Sequence, residues 1–241
     1  MQHADFVRAI EFYGAEIARA ARVSLDAPVR ACGSWRIADV LWHMGEVHRF
    51  WTAMAVSGTT SRAETLRDER PEEMDMIRWY EDGVAQLVSA VSTLPADQPC
   101  WTWAGPQNIA WLTRRMAHET TVHAWDVAWA AGLRPEISAE LASDGIDEFL
   151  FVMTPLVREG QPIVGGSVHL HCTDIEGEWL VTPGDGLDMV VTREHKKGSV
   201  ALRGSASDLL LVLWRRLPLD LVEVIGDSSV AERFLLRSDL D

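Results

Sequence analysis

The 241-residue chain is poor in cysteine, lysine and tyrosine, and it has no long apolar run. Its three cysteines, Cys32, Cys100 and Cys172, are odd in number and far apart. They do not read as a disulfide framework or a cysteine-based zinc site. No apolar stretch approaches the roughly 18 residues that span a bilayer. The opening, Met1 to Ile10, carries His, Asp and Arg and does not read as a signal peptide. Basic residues are also in deficit: 22 Lys and Arg face 36 Asp and Glu, a formal net charge of −14. This weighs against nucleic acid, whose phosphates need clustered Lys and Arg, and against an anionic membrane surface. Only Lys196 and Lys197 are lysines; the other basic residues are arginine, a bias that points to a GC-rich coding sequence. The expectation is a soluble, cytoplasmic protein.

What is present is a globular composition, 47% hydrophobic and 24% charged, long enough for one large domain or two small ones. Tryptophan is abundant, with 11 residues, seven of them between Trp35 and Trp111. Phe6, Ile10, Tyr13 and Ile17 recur at helical spacing. Ser34 is the expected N-cap of a second helix that Gly58 ends. A polar stretch over 59–70 follows. A third helix is expected over about 71–94 and a fourth over about 107–131, stopped by Gly132 and Pro135. These make a four-helix bundle over residues 1–135. A fifth helix, about 139–153, leads into a region of period two. There Val168, Leu170 and Cys172 alternate with Ser167, His169 and His171. Strands near 179–182, 187–192, 199–202 and 221–225, with helices at 207–217 and 228–236, complete an α+β domain over 136–241. The predicted fold class is α followed by α+β.

The segment Met116–Asp126, Met-Ala-His-Glu-Thr-Thr-Val-His-Ala-Trp-Asp, carries the chemistry. It is not the zinc-protease motif, which needs two His at i and i+4. His118 and His123 are five apart, about 140° around a helix. Glu119 and His123 are i and i+4, about 40° apart, so both reach one ion. Asp126 falls about 60° from His123, placed to orient its imidazole or add a ligand. A carboxylate and an imidazole suit zinc. The second helix offers Trp42-His-Met-Gly-Glu-Val-His48. His43 and His48 are also five apart, so one at most is expected to point inward. Its apolar neighbours Val40, Met44 and Val47 favour His43. His43, Glu119 and His123 together leave a fourth position open, as in a catalytic site. Against this stand a hydrogen-bonded histidine in the core and a surface helix pair worth a few tenths of a kcal/mol.

Ser34–Trp51 resembles the second-helix signature of the mycothiol-dependent maleylpyruvate isomerase family, within the DinB-like superfamily. Trp101-Thr-Trp-Ala-Gly105 and Arg114–Asp126 resemble its fourth-helix signature, and Asp144–Leu150 its linking helix. His169–Asp174, Gly177–Leu180 and Gly204–Trp214 resemble its C-terminal domain, which is similar to sterol-carrier-like modules. The resemblance implies a DinB-like bundle carrying one divalent ion, most often zinc, on His43, Glu119 and His123. It implies mycothiol as thiol cosubstrate and a small-molecule electrophile, with cis–trans isomerisation or S-transfer as the reaction. In the family, mycothiol adds to maleylpyruvate, the resulting single bond rotates, and elimination leaves fumarylpyruvate. Glu46 is a candidate proton shuttle, Asp126 or Glu46 a partner orienting a ligand histidine, and Arg216 a candidate contact for an acidic substrate. Ala124 departs from the pattern, which has a basic residue between the His and the Trp. The arginine bias fits an actinobacterial source, the lineage that makes mycothiol. Two other readings stay open: a metal-dependent hydrolase, and a non-catalytic metal- or small-molecule-binding protein on the same fold.

Overall fold

The computed structural model describes residues 1–65, 67–156 and 160–238, in two compact units, Met1–Glu136 and Ile137–Asp241. Leu66, inside the polar stretch expected over 59–70, lies outside the described residues.

The first unit is a bundle of four helices: α1 (His3–Ala21), α2 (Ile37–Ser57), α3 (Glu73–Thr93) and α4 (Ile109–Ala130). Phe6, Ile10, Tyr13 and Ile17 are buried along α1, the apolar stripe their spacing requires. Ser34 does not cap α2. Val29 N–H donates to Trp35 O (2.8 Å) and Ile37 N–H to Ala27 O (3.0 Å), which holds the chain extended past Ser34. The helix therefore starts at Ile37, and the Asp39 carboxylate accepts from Arg36 N–H (2.9 Å) instead. At its other end Gly58 adopts φ +63°, the left-handed turn that stops helices. Asn108 caps α4, its side chain accepting from Trp111 N–H at 3.0 Å. Most of α4 is buried. It packs chiefly on α1, while α2 packs on α3 and also meets α4. That last contact sets His43 opposite Glu119 and His123.

The second unit opens with α5 (Ala139–Glu148), capped by Ser138 and continued as a π-helical turn over Phe149–Met153. Five strands follow: β1 (Val168–Cys172), β2 (Glu178–Pro183), β3 (Met189–Thr192), β4 (Val200–Gly204) and β5 (Glu223–Gly226). Their order is β3-β2-β1-β4-β5, with β1–β4 parallel and the other pairs antiparallel. Val168, Leu170, Val200 and Leu202 form a buried face under α6 (Ala206–Leu213) and α7 (Ser228–Arg237). The alternation of β1 puts His169 and His171 on the opposite face. The helix expected to reach Leu217 ends at Leu213, because Arg215 takes φ +58° and Arg216 N–H returns to Leu211 O (2.8 Å). The fold is thus a four-helix bundle followed by a smaller α+β unit, the class that the periodicities require. No helix among the described residues is long and apolar enough to cross a membrane.

Candidate metal centre

His43, Glu119 and His123 each direct one donor atom into a common space, all three within 4.8 Å of one another. Glu119 Oε1 lies 3.7 Å from Nε2 of both His43 and His123. That is too long for a hydrogen bond. Two ligands on one tetrahedral ion with bonds near 2.05 Å stand about 3.3 Å apart, so 3.7 Å is close to a bridged separation. The two imidazole centroids are 5.3 Å apart and the rings nearly perpendicular. Two nitrogens and an oxygen with this spacing fit a divalent ion of the zinc class.

The other Glu119 oxygen is taken. Arg115, one turn earlier on α4 and buried, donates Nη2 to Oε2 at 2.5 Å. Burial pushes the Glu119 carboxyl upward, but Arg115 first and then His43 and His123 outweigh it and hold the pKa well below the usual carboxylate range. The group is an anion with Oε1 facing the imidazoles. His123 is fixed from behind: its Nδ1 lies 3.1 Å from Asp126 Oδ2, whose side chain is wholly buried. An Nδ1–H donated to this carboxylate leaves the Nε2 lone pair aimed at the shared space, the arrangement that orients and strengthens ligand histidines. Cys32 Sγ donates to the same Asp126 oxygen at 3.7 Å. The Trp35 ring stands 5.1 Å from the His43 ring and shields its flank.

Residues 7–128 match the family model described as the Mycothiol maleylpyruvate isomerase N-terminal domain, and residues 140–233 that of the MDMPI C-terminal domain. The chain belongs to the mycothiol-dependent maleylpyruvate isomerase family. A solved structure, a histidine-to-alanine variant of the mycothiol-dependent maleylpyruvate isomerase, superposes with a TM-score of 0.65 over 93% of each chain at 11% identity. It shares the fold. No curated protein matches this sequence.

Beside the donor set, this family member has a cleft of about 650 Å³ between α2, α3 and residues including Arg62, Glu64 and Asp68. His43 belongs to its wall, with Glu46, Arg49, Arg62, Asp68 and Trp79. Gly45 shapes it, since the Trp79 ring lies where a Cβ on that residue would stand (2.1 Å). Trp79 stacks on Trp42 (4.9 Å), Arg49 lies 3.9 Å over its ring, and its indole N–H donates to Asp68 (2.9 Å). Trp51 and Trp101 stack at 5.9 Å nearby. Trp51 and Trp79 are therefore cleft wall, with Trp42 and Trp101 stacked behind them.

Of the other expected residues, Glu46 lines the cleft, 3.8 Å from the exposed Arg67. Arg216 belongs to the second unit, donating Nη1 to Trp214 O at 2.9 Å. Ala124 is buried. The expectation that only one α2 histidine points inward is wrong. His48 is fully buried, with Nε2 3.0 Å from Thr120 Oγ1 and its ring 5.8 Å from Tyr80. Burial pushes its pKa down to about 3, so it is neutral core. The inward face of α2 is simply wide enough for residues five apart. Sequence reasoning missed Arg115, although its i,i+4 spacing to Glu119 was a readable signal. It also missed Cys32, which no local pattern marks.

Proposed function

We propose that this chain is a thiol-dependent enzyme that uses a divalent ion of the zinc class on His43, Glu119 and His123 to activate mycothiol toward an electrophilic substrate. The observation that carries the reading is His43 itself, common to the donor set and to the wall of the cleft. Three protein donors leave a coordination position for a ligand arriving from that side. A divalent ion held by His43, Glu119 and His123 would supply the Lewis acidity that lowers a thiol's pKa, ordinarily about 8.5, toward neutrality. The protein's own groups do the rest. Arg115 keeps Glu119 ionised, Asp126 holds the His123 tautomer, and the tryptophan-lined cleft accommodates substrate carbon and excludes water. Glu46, one of three carboxylates on the cleft wall with Glu64 and Asp68, is placed three residues from His43 to take or return a proton. The reaction is cis–trans isomerisation or S-transfer.

The test is metal analysis of protein purified without chelator, followed by calorimetry with mycothiol and a direct assay of maleylpyruvate conversion. About one zinc that depends on His43, and mycothiol binding that depends on that zinc, are expected. No metal dependent on His43 sinks the enzyme reading. Metal without thiol binding moves the assignment to hydrolysis, with water in the open position.

A further inference from the structure

All three histidines of the second unit, His169, His171 and His195, converge on one carboxylate. His171 Nδ1 lies 2.7 Å from Glu178 Oε1, and His169 Nε2 and His195 Nδ1 lie 3.3 and 2.5 Å from Glu178 Oε2. One donor atom from each of the four falls within 4.8 Å of all the others. Topology explains the gathering. His169 and His171 are two apart on β1 and share a face. Glu178 is the register partner of His171 on β2, and the turn after β3 brings His195 over both strands.

We propose that His169, His171, His195 and Glu178 form a second divalent-metal site, of the zinc class, that clasps the turn after β3 onto β1 and β2. Three imidazole nitrogens and one carboxylate oxygen make a complete tetrahedral set for zinc. Imidazole rings ligating one tetrahedral ion have centroids about 5.2 Å apart, given bonds near 2.05 Å. Here the three separations are 5.5, 6.1 and 6.3 Å, so the rings need to close by about 1 Å or less. Hard oxygen-only ions such as magnesium are disfavoured by the nitrogen-rich set. With four protein donors no position is left open, so the ion holds structure together rather than reacting. The neighbouring cations do not block it. Arg203, beside His171 on β4, is paired with Glu223 at 3.0 Å, and Lys196 and Lys197 are exposed.

This inference does not rest on the α2–α4 centre, and its test removes that centre first. The full-length His43→Ala, Glu119→Gln chain is titrated with zinc against a chromophoric chelator and, separately, loaded with cobalt(II). One retained equivalent is expected, with the intense visible bands of tetrahedral cobalt. His195→Ala is expected to weaken binding at least tenfold. The side chain is 79% exposed, so the variant keeps its fold, checked by circular dichroism. His171→Ala in addition is expected to abolish binding. Loss of ion protection of the 193–198 turn against hydrogen exchange should accompany both. No retained ion in the parent, or undiminished affinity after both substitutions, overturns the site and leaves a hydrogen-bonded cluster.

Discussion

Glu119 has its two oxygens committed to different partners, Oε2 to Arg115 and Oε1 to the two imidazoles, so one substitution separates charge from shape. Glu119→Gln keeps the shape. It is expected to lower metal affinity by more than 100-fold, read by competition with a chelator. It also loses a charge-assisted contact to buried Arg115, so the metal-free protein should be about 2 kcal/mol less stable in urea unfolding. Asp126→Asn acts one step back. It leaves all three donors in place, and metal affinity is expected to fall about 10- to 100-fold, the usual effect of losing a ligand's orienting partner. His48 makes a prediction about pH. Its folded pKa lies below the ordinary 6.5, so the native state binds fewer protons than the unfolded chain. Stability is full above about pH 6.5 and drains as the pH falls toward 3, with about 2 kcal/mol gone by pH 5. His48→Gln, compared with wild type in chelator, is expected to remove that component of the denaturant-midpoint shift between pH 7 and 5.

At the scale of elements, α2 and α3 approach closely because Gly45 has no side chain. Gly45→Ala drives a methyl into the Trp79 ring and is expected to cost about 1–3 kcal/mol. Displaced from Asp68 and Trp42, Trp79 should show altered fluorescence while the metal content stays unchanged. The same helices show what a sequence discloses. The period of 3.6 reports which residues face inward, so Glu119, His123 and His43 are legible as a group from spacing alone. It does not report where a chain bends before a helix. The start of α2 is set by backbone bonds from Val29 and Ile37 to Trp35 and Ala27, which bind residues up to ten apart. Nor does it report how wide an inward face is, so it does not place His48 in the core beside His43. The histidine cluster of the second unit was half legible. Two histidines at alternate positions on β1 announce a shared face, but Glu178 and His195 join only through strand register and a turn.

For the whole molecule, the excess of acid is a surface property, apart from the few carboxylates drawn inside, Glu119 and Asp126 among them. A formal charge of −14 implies self-repulsion in the folded state. Raising ionic strength from about 0.01 to 0.15 M shortens the screening length from about 30 to 8 Å. The melting temperature should rise by about 2 °C, measured with the metal content held constant. Exposed ion pairs such as Arg22–Glu81 and Arg203–Glu223 are weakened by the same salt, and a fall in melting temperature would show that they dominate.

The scarcity of lysine has one more consequence. Apart from the terminal amine, primary amines occur only at Lys196 and Lys197, side by side in the exposed turn after β3 and next to His195. An amine-reactive dye, crosslinker or sensor surface therefore has one internal point of attachment. With the terminal amine blocked, the chain can be labelled or tethered through that turn with the bundle side chains untouched. A fluorophore placed there sits where occupancy of the Glu178 cluster would change its emission.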